Sequence, residues 1–374
     1  MRIGFPAEHC SHEPRAACTP ASVKRLVKLG AEVLVESGVG VRAGFLDADY
    51  EAAGAVVTSD RGKVLAESAM ILRVRKPPEE EVTKQASGGI HISFLDPFHE
   101  ADLIDKLAGA GISAISMEMI PRSTRAQKMD ALTSQANLAG YVAVMLGAVH
   151  MRKILPMMST AAGTLLPARV FVIGAGVAGL QAIATARRLG AKVEAFDTRP
   201  VVAEQVQSLG AKFVEIDLGG ESGQTAQGYA VELTPEQIAR QREGMKKCCS
   251  EADLVITTAQ VFGRKAPILV TADMVAAMKP GSVVVDMALE SGGNVEGSVA
   301  HEATEVGGVT ILGYTNLAGR VAQNATQVYA MNLVGLIEEF WKDRAFSLNL
   351  DDDILQSCVI THGGQIRHEK FKKS

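Results

Sequence analysis

The run Val-Phe-Val-Ile-Gly-Ala-Gly-Val-Ala-Gly at 170–179 carries an apolar strand into a GxGxxG loop, Gly174, Gly176 and Gly179, and Asp197 follows a helix and a strand later. Each residue type answers a requirement of dinucleotide binding. Gly174 permits a tight strand-to-helix turn, Gly176 lets the backbone approach a pyrophosphate, and Gly179 lets the helix lie close on the strand. Free N–H groups at the start of the helix from Val177 then face an anion. A carboxylate at the tip of the next strand, Asp197, accepts hydrogen bonds from an adenosine ribose diol and repels a 2′-phosphate, which favours NAD(H) over NADP(H). Arg199 leaves a second option open, because a guanidinium can hold a phosphate. Three glycines alone are a weak signal and compete with a glycine turn in some other α/β unit. Strand, loop, helix, strand and acid in series are a specific one.

A second constellation, Pro121-Arg-Ser-Thr-Arg-Ala-Gln-Lys-Met-Asp130, follows an apolar strand that ends near Met117. In a two-domain dinucleotide protein, a segment beyond a strand's carboxyl end at the domain junction faces the cleft where the nicotinamide lies. The Gln127 carboxamide can bond the nicotinamide amide or its ribose, and Arg122 and Asp130 can pair to hold the loop's shape. The competing reading is a surface ion-pair loop. The segment 217–235 contains Gly219, Gly220, Gly223 and Gly228, followed by Tyr229 in a polar run. That composition fits a hinged flap that closes over a ligand, with a plain surface loop as its alternative.

Strands and helices alternate along the chain, which predicts α/β architecture: two Rossmann-like, doubly wound parallel-sheet domains with a cleft between them. Strands are expected at 2–5, 32–36, 55–57, 70–74, 91–95 and 112–116, and again at 169–173, 192–196, 212–215, 254–257, 282–286 and 310–312. Thr19 opens a helix that Gly30 closes. A long helix over 133–150 carries small residues suited to close packing, and an apolar helix spans 321–341. The hairpin expected at Val359 and Ile360, ended by Gly363 and Gly364, implies a C-terminal return to the first domain. The predicted division is therefore 1–130 plus 321–374 and, between them, 131–320 as the NAD(H)-binding domain.

With 374 residues, a net charge of -4 and no run of about 18 apolar residues, neither nucleic acid nor membrane insertion is expected, and a cytoplasmic location is. Five cysteines in no ligand spacing predict reduced thiols and no metal; the adjacent Cys248 and Cys249 read as ordinary helix residues. The aspartates at 351–353 read as a solvated turn and the lysines at 370–373 as a disordered tail.

The segment 121–130, with Asn137-Leu-Ala-Gly-Tyr141 after it, resembles the Arg-Gln-Asp loop of the NAD(H)-binding component of proton-translocating nicotinamide nucleotide transhydrogenase, a relative of alanine dehydrogenase. The resemblance covers nearly the whole chain, through Glu13-Pro-Arg-Ala-Ala-Cys-Thr-Pro20, 157–163, the glycine loop and its helix, Lys279-Pro-Gly-Ser282, Glu290-Ser-Gly-Gly-Asn294 and Gly313-Tyr-Thr-Asn316. It implies that Arg122, Gln127 and Asp130 position the nicotinamide, lined by Ser123, Thr124, Arg125, Lys128 and Met129. It further implies that Val177, Asp197, Thr198 and Arg199 take the pyrophosphate and adenosine, that Gly228 and Tyr229 belong to a mobile flap, and that Gln241 is a further contact. Gln260 stands at a cofactor-side position where relatives often carry an aliphatic residue.

Alanine dehydrogenase is the rival. Pyruvate-reducing members of that family resemble one another in a KVKEP segment with a substrate lysine, a histidine after the next strand and an aspartate before a Gln-Gly-Gly turn. This chain has Leu72-Arg-Val-Arg-Lys-Pro77, with Arg75, Asp96 and Glu290 at those three places. A guanidinium does not give up its proton, so Arg75 cannot serve as the acid or base of such a reaction. The expectation is an NAD(H)-binding transhydrogenase component that passes hydride directly to or from NADP(H) on a partner. It would act with NADP(H)-binding and membrane-spanning subunits, as a homodimer peripheral to the inner face of the membrane. A non-catalytic NAD-sensing module is the remaining alternative.

Overall fold

The computed structural model describes residues 1–219, 233–260 and 263–372, in two compact units: Met1–Gln135 with Ala318–Ser374, and Ala136–Leu317. In the first unit, six parallel strands, β1 (Arg2–Phe5), β2 (Glu32–Glu36), β3 (Val56–Thr58), β4 (Met70–Leu72), β5 (Ile90–Ser93) and β6 (Ser113–Ser116), run in the order β3-β2-β1-β4-β5-β6. Ile3 of β1 pairs with both Val33 and Met70, so the winding direction reverses between β1 and β4. Strands β4, β5 and β6 are buried at every residue, as expected for strands covered by helices on both faces. Thr19 caps helix Pro20–Lys28 reciprocally with Ser22, and Pro20 fills a first-turn position that needs no N–H.

The sheet is not wholly parallel. Strand Val359–His362 adds antiparallel to β6 and turns through Gly363 and Gly364, both at positive φ, into Gln365–Ile366. This is the expected C-terminal return, and it extends the sheet to eight strands. Two expectations about that region change. Asp352 is the N-cap of helix Asp353–Cys358, its carboxylate accepting from the Ile354 N–H at 2.9 Å. The tail is packed at Phe371, whose ring lies edge-on against Phe98 at 5.0 Å, and Lys373 lies outside the described residues.

In the second unit an antiparallel hairpin, β7 (Met158–Thr160) and β8 (Gly163–Leu165), precedes β9 (Arg169–Ile173), β10 (Lys192–Phe196), β11 (Lys212–Phe213), β12 (Leu254–Thr257), β13 (Val283–Asp286), β14 (Ala303–Val306) and β15 (Val309–Leu312). The sheet order from β9 onward is β11-β10-β9-β12-β13-β15-β14, with winding reversed between β9 and β12. Among the described strands of this sheet, β14 alone is antiparallel: Gly307 and Gly308, at φ 59° and 80°, make the two-residue turn whose twist matches a hairpin. The core joins Phe171, Ile173, Val255, Val284 and Ile311 to Met245 and Cys249 of helix Pro235–Glu251. Cys249 is buried in that core and Cys248 is half-buried beside it.

Helix Ala131–His150 has the length and hydropathy of a membrane span, yet its small residues are packing sites. Within the second unit a Cβ on Gly140 would strike the Ala178 carbonyl oxygen, and one on Gly147 would strike the Leu254 side chain.

Candidate dinucleotide site

In the second unit β9 ends at Ile173 and the chain turns at Gly174, whose φ of 98° is open to glycine at little cost. A Cβ there would crowd Thr258 Oγ1, which donates to the Gly174 carbonyl at 3.0 Å. On Gly179 a Cβ would collide with the same carbonyl, so the first turn of helix Val177–Arg188 can sit on the loop only without a side chain. Gly176 differs: it has an ordinary φ of -76° and nothing within 4 Å of where its Cβ would be. Among the described residues, no side chain caps the helix it opens. Two glycines are thus required by packing, while the third keeps clear the approach that a phosphate needs, so the cradle fits a dinucleotide.

Asp197, just beyond the end of β10, is almost buried. Its Oδ2 accepts from the Ala175 N–H at 2.7 Å and its Oδ1 from the Arg199 N–H at 2.9 Å, so backbone on both sides fixes the carboxylate. The Arg199 guanidinium closes on the same group, Nε to Oδ1 at 2.9 Å and Nη2 to Oδ2 at 2.8 Å. That hydrogen bonding holds the Arg199 pKa above its ordinary value. Val177 and Thr198 are half-buried at the two edges of this loop pair. Gln241 is buried on helix Pro235–Glu251, and Gln260, exposed after β12, donates to the Met287 carbonyl at 3.2 Å. Gly228 and Tyr229, expected in a flap, lie outside the described residues.

Sequence reasoning missed the supports behind the loop. Besides Thr258, buried Asn294 accepts from the Ala259 N–H at 3.1 Å and donates to the carbonyls of Ala259 and Pro267, while its own N–H meets Asp286. These residues fix the carboxyl end of β12, the strand beside β9 where winding reverses. The signal that could have found them is the rule that ligands bind at such a reversal.

In the first unit Pro121, Arg122, Ser123, Thr124, Gln127 and Asp130 line one pocket of about 260 Å³. Asp130 ends the loop by capping helix Ala131–His150: Oδ1 accepts from the Thr133 N–H at 2.9 Å and Oδ2 from the Thr133 hydroxyl at 2.6 Å. Arg125, Lys128 and Met129 do not line this pocket. Arg125 pairs with Asp352 and, at 2.7 Å, with Asp353; Lys128 pairs with Glu339 at 2.6 Å; Met129 is fully buried. They tie the loop to the C-terminal helices.

At the positions where the rival enzyme has its acid–base and substrate groups, Arg75 Nε donates to Glu13 at 2.8 Å, and Glu13 also takes the guanidinium of Arg15. Burial pushes the Glu13 carboxyl up, but the Arg15 hydrogen bond and charge, with Arg75 behind them, outweigh it and bring the pKa down to about 2. Asp96, at φ 53°, accepts from His99 at 2.7 Å, and Glu290 accepts from the Asn316 N–H at 3.3 Å.

Family models for the alanine dehydrogenase/PNT N-terminal domain and C-terminal domain match residues 4–139 and 143–369. The chain belongs to the alanine dehydrogenase/PNT family. Within that family it is 41% identical to NAD(P) transhydrogenase subunit alpha of Cereibacter sphaeroides, over 98% of this chain and 71% of that one. It is 32% identical to alanine dehydrogenase of Halomonas elongata, over 98% of this chain and 95% of that one. Among solved structures, transhydrogenase from Sinorhizobium meliloti superposes with a TM-score of 0.86 at 43% identity, covering 99% of this chain and 100% of that one. An L-alanine dehydrogenase reaches 0.80 at 27% identity, covering 99% and 98%. Family membership makes the chain a relative of NAD-linked oxidoreductases with a Rossmann-like α/β fold and, among them, similar to transhydrogenase alpha subunits.

Proposed function

We propose that this chain is the NAD(H)-binding component of a proton-translocating transhydrogenase. Gly174, Gly176, Val177, Gly179, Asp197, Thr198 and Arg199 would hold the pyrophosphate and adenosine, and the loop containing Arg122, Gln127 and Asp130 would receive the nicotinamide end. When bound, the dihydronicotinamide supplies a hydride for NADP⁺ held by a partner subunit. That transfer releases no proton at either reacting carbon, so the chain's residues need only bind, orient and exclude water. The observation that carries this reading is the state of the Arg122–Asp130 pocket. Its carboxylate, Asp130, caps helix Ala131–His150 with one bond from each oxygen to Thr133, which fixes the end of the loop that carries Gln127. An amino-acid dehydrogenase needs an acid–base group beside its carbonyl, and the Arg75 guanidinium is engaged by Glu13.

Coupling to protons falls to membrane-spanning subunits, which would keep this chain peripheral on the cytoplasmic side. A homodimer has its own support in exposed apolar side chains on residues 149–166: Val149 is 81% and Leu166 70% exposed, with Met157, Met158 and Leu165 beside them in sequence. The test mixes the purified protein with a transhydrogenase NADP(H)-binding component and follows reduction of an NAD analogue by NADPH. Turnover is expected, and none with alanine plus NAD⁺. No transhydrogenation at any mixing ratio would reject the assignment.

A further inference from the structure

We infer that Arg199 is a latent ligand for a 2′-phosphate, held captive by Asp197, so that this chain selects NAD(H) by occupying its phosphate-binding side chain rather than by lacking one. The inference rests on the coenzyme reading above. A carboxylate offers about four lone-pair positions, and four N–H groups fill those of Asp197. Two of the donors are backbone, Ala175 and Arg199, and set the carboxylate's position. The other two are the guanidinium's Nε and Nη2, and they occupy the hydrogen bonds that a ribose diol would take. A diol replaces the guanidinium by offering two hydroxyl donors to the same oxygens. A phosphate cannot: it brings acceptors and negative charge to a carboxylate that wants donors, and it gains Arg199 only by pulling that side chain off its partner. With side-chain exposures of 13% and 5%, Arg199 and Asp197 pair where solvent screens little, so the capture is strong.

Removing the captor should therefore release the ligand. Asp197→Asn removes the charge and keeps an oxygen for one of the two backbone N–H groups, Ala175 or Arg199, at the cost of the other bond. Calorimetric titration of the purified protein with NADH and with NADPH reads the outcome. In Asp197→Asn, NADPH should bind about tenfold tighter than to wild type or better, the scale of one charge-assisted hydrogen bond, and NADH should bind more weakly. Asp197→Asn/Arg199→Ala should lose the gain for NADPH. Arg199→Ala alone, with Asp197 bare, should widen the preference for NADH. If Asp197→Asn gains no affinity for NADPH, or the double variant keeps the gain, the inference is wrong while the coenzyme reading stands. A wild-type protein that binds no NADH would instead reject that reading. Thermal melts of each variant, matched to wild type, keep misfolding from mimicking a negative result. Where Asp197→Asn melts early, Arg199→Ala decides the question: an unchanged preference for NADH overturns the inference.

Discussion

The glycine loop of the second unit and the Arg122–Asp130 loop of the first are held by opposite means. One is shaped by missing side chains: Gly174 and Gly179 let two stretches of backbone touch, and the contacts that fix it come from the ends of β9, β10 and β12 and one helix. The other is shaped by side chains reaching far along the sequence, Arg125 to Asp352 and Asp353, Lys128 to Glu339, and the Lys128 carbonyl accepting from Asn332 at 3.0 Å. A site set by backbone contact tolerates almost no added atom where the backbones touch, at Gly174 and Gly179. One set by surface ion pairs is distributed, and single losses are cushioned.

Four substitutions test that contrast. Gly179→Ala forces backbone apart and should cost about 3 kcal/mol, the upper end of overpacking, read as a lowered melting temperature with loss of NADH binding. A melt unchanged from wild type would break the comparison. Gln127→Ala should slow hydride transfer by about a hundredfold through misplacement of the ring, with NADH affinity nearly intact; stopped-flow transfer and equilibrium titration separate the two. Asp130→Ala removes a helix cap and should cost about 1 kcal/mol in a denaturant melt; a larger loss would mean that the first-unit loop is less cushioned than its ion pairs imply. Gly176→Ala, in open space at an allowed φ, should leave stability within about 0.5 kcal/mol of wild type yet weaken NADH, which distinguishes room kept for a ligand from room needed by the fold.

What the sequence made legible follows the same division. The glycine spacing, Asp197 and the parallel strands were readable because each obeys a local rule, a φ requirement or an apolar run. The antiparallel edges at β14 and Val359–His362 came from Gly-Gly turns, of which the second was anticipated and the first was not. The place of the loop 121–130 after a strand's carboxyl end singled out Arg122, Gln127 and Asp130, while family resemblance grouped Arg125, Lys128 and Met129 with the pocket. Irregular backbone has no period from which to read where a side chain points, and the partners that turn Arg125 and Lys128 away lie some two hundred residues on. The Arg199 guanidinium on Asp197 was likewise out of reach, since two residues' spacing permits that pairing without requiring it.

The C-terminal return has a consequence for synthesis. Strand β6 is an unsatisfied edge until Val359–His362 pairs with it, so the first unit's sheet stays open while the ribosome makes the 242 residues of 117–358. The second unit, unbroken from Ala136 to Leu317, is available for folding before the half encoded ahead of it can close. The edge at Ser113–Ser116 therefore has no partner on that side during most of the chain's elongation.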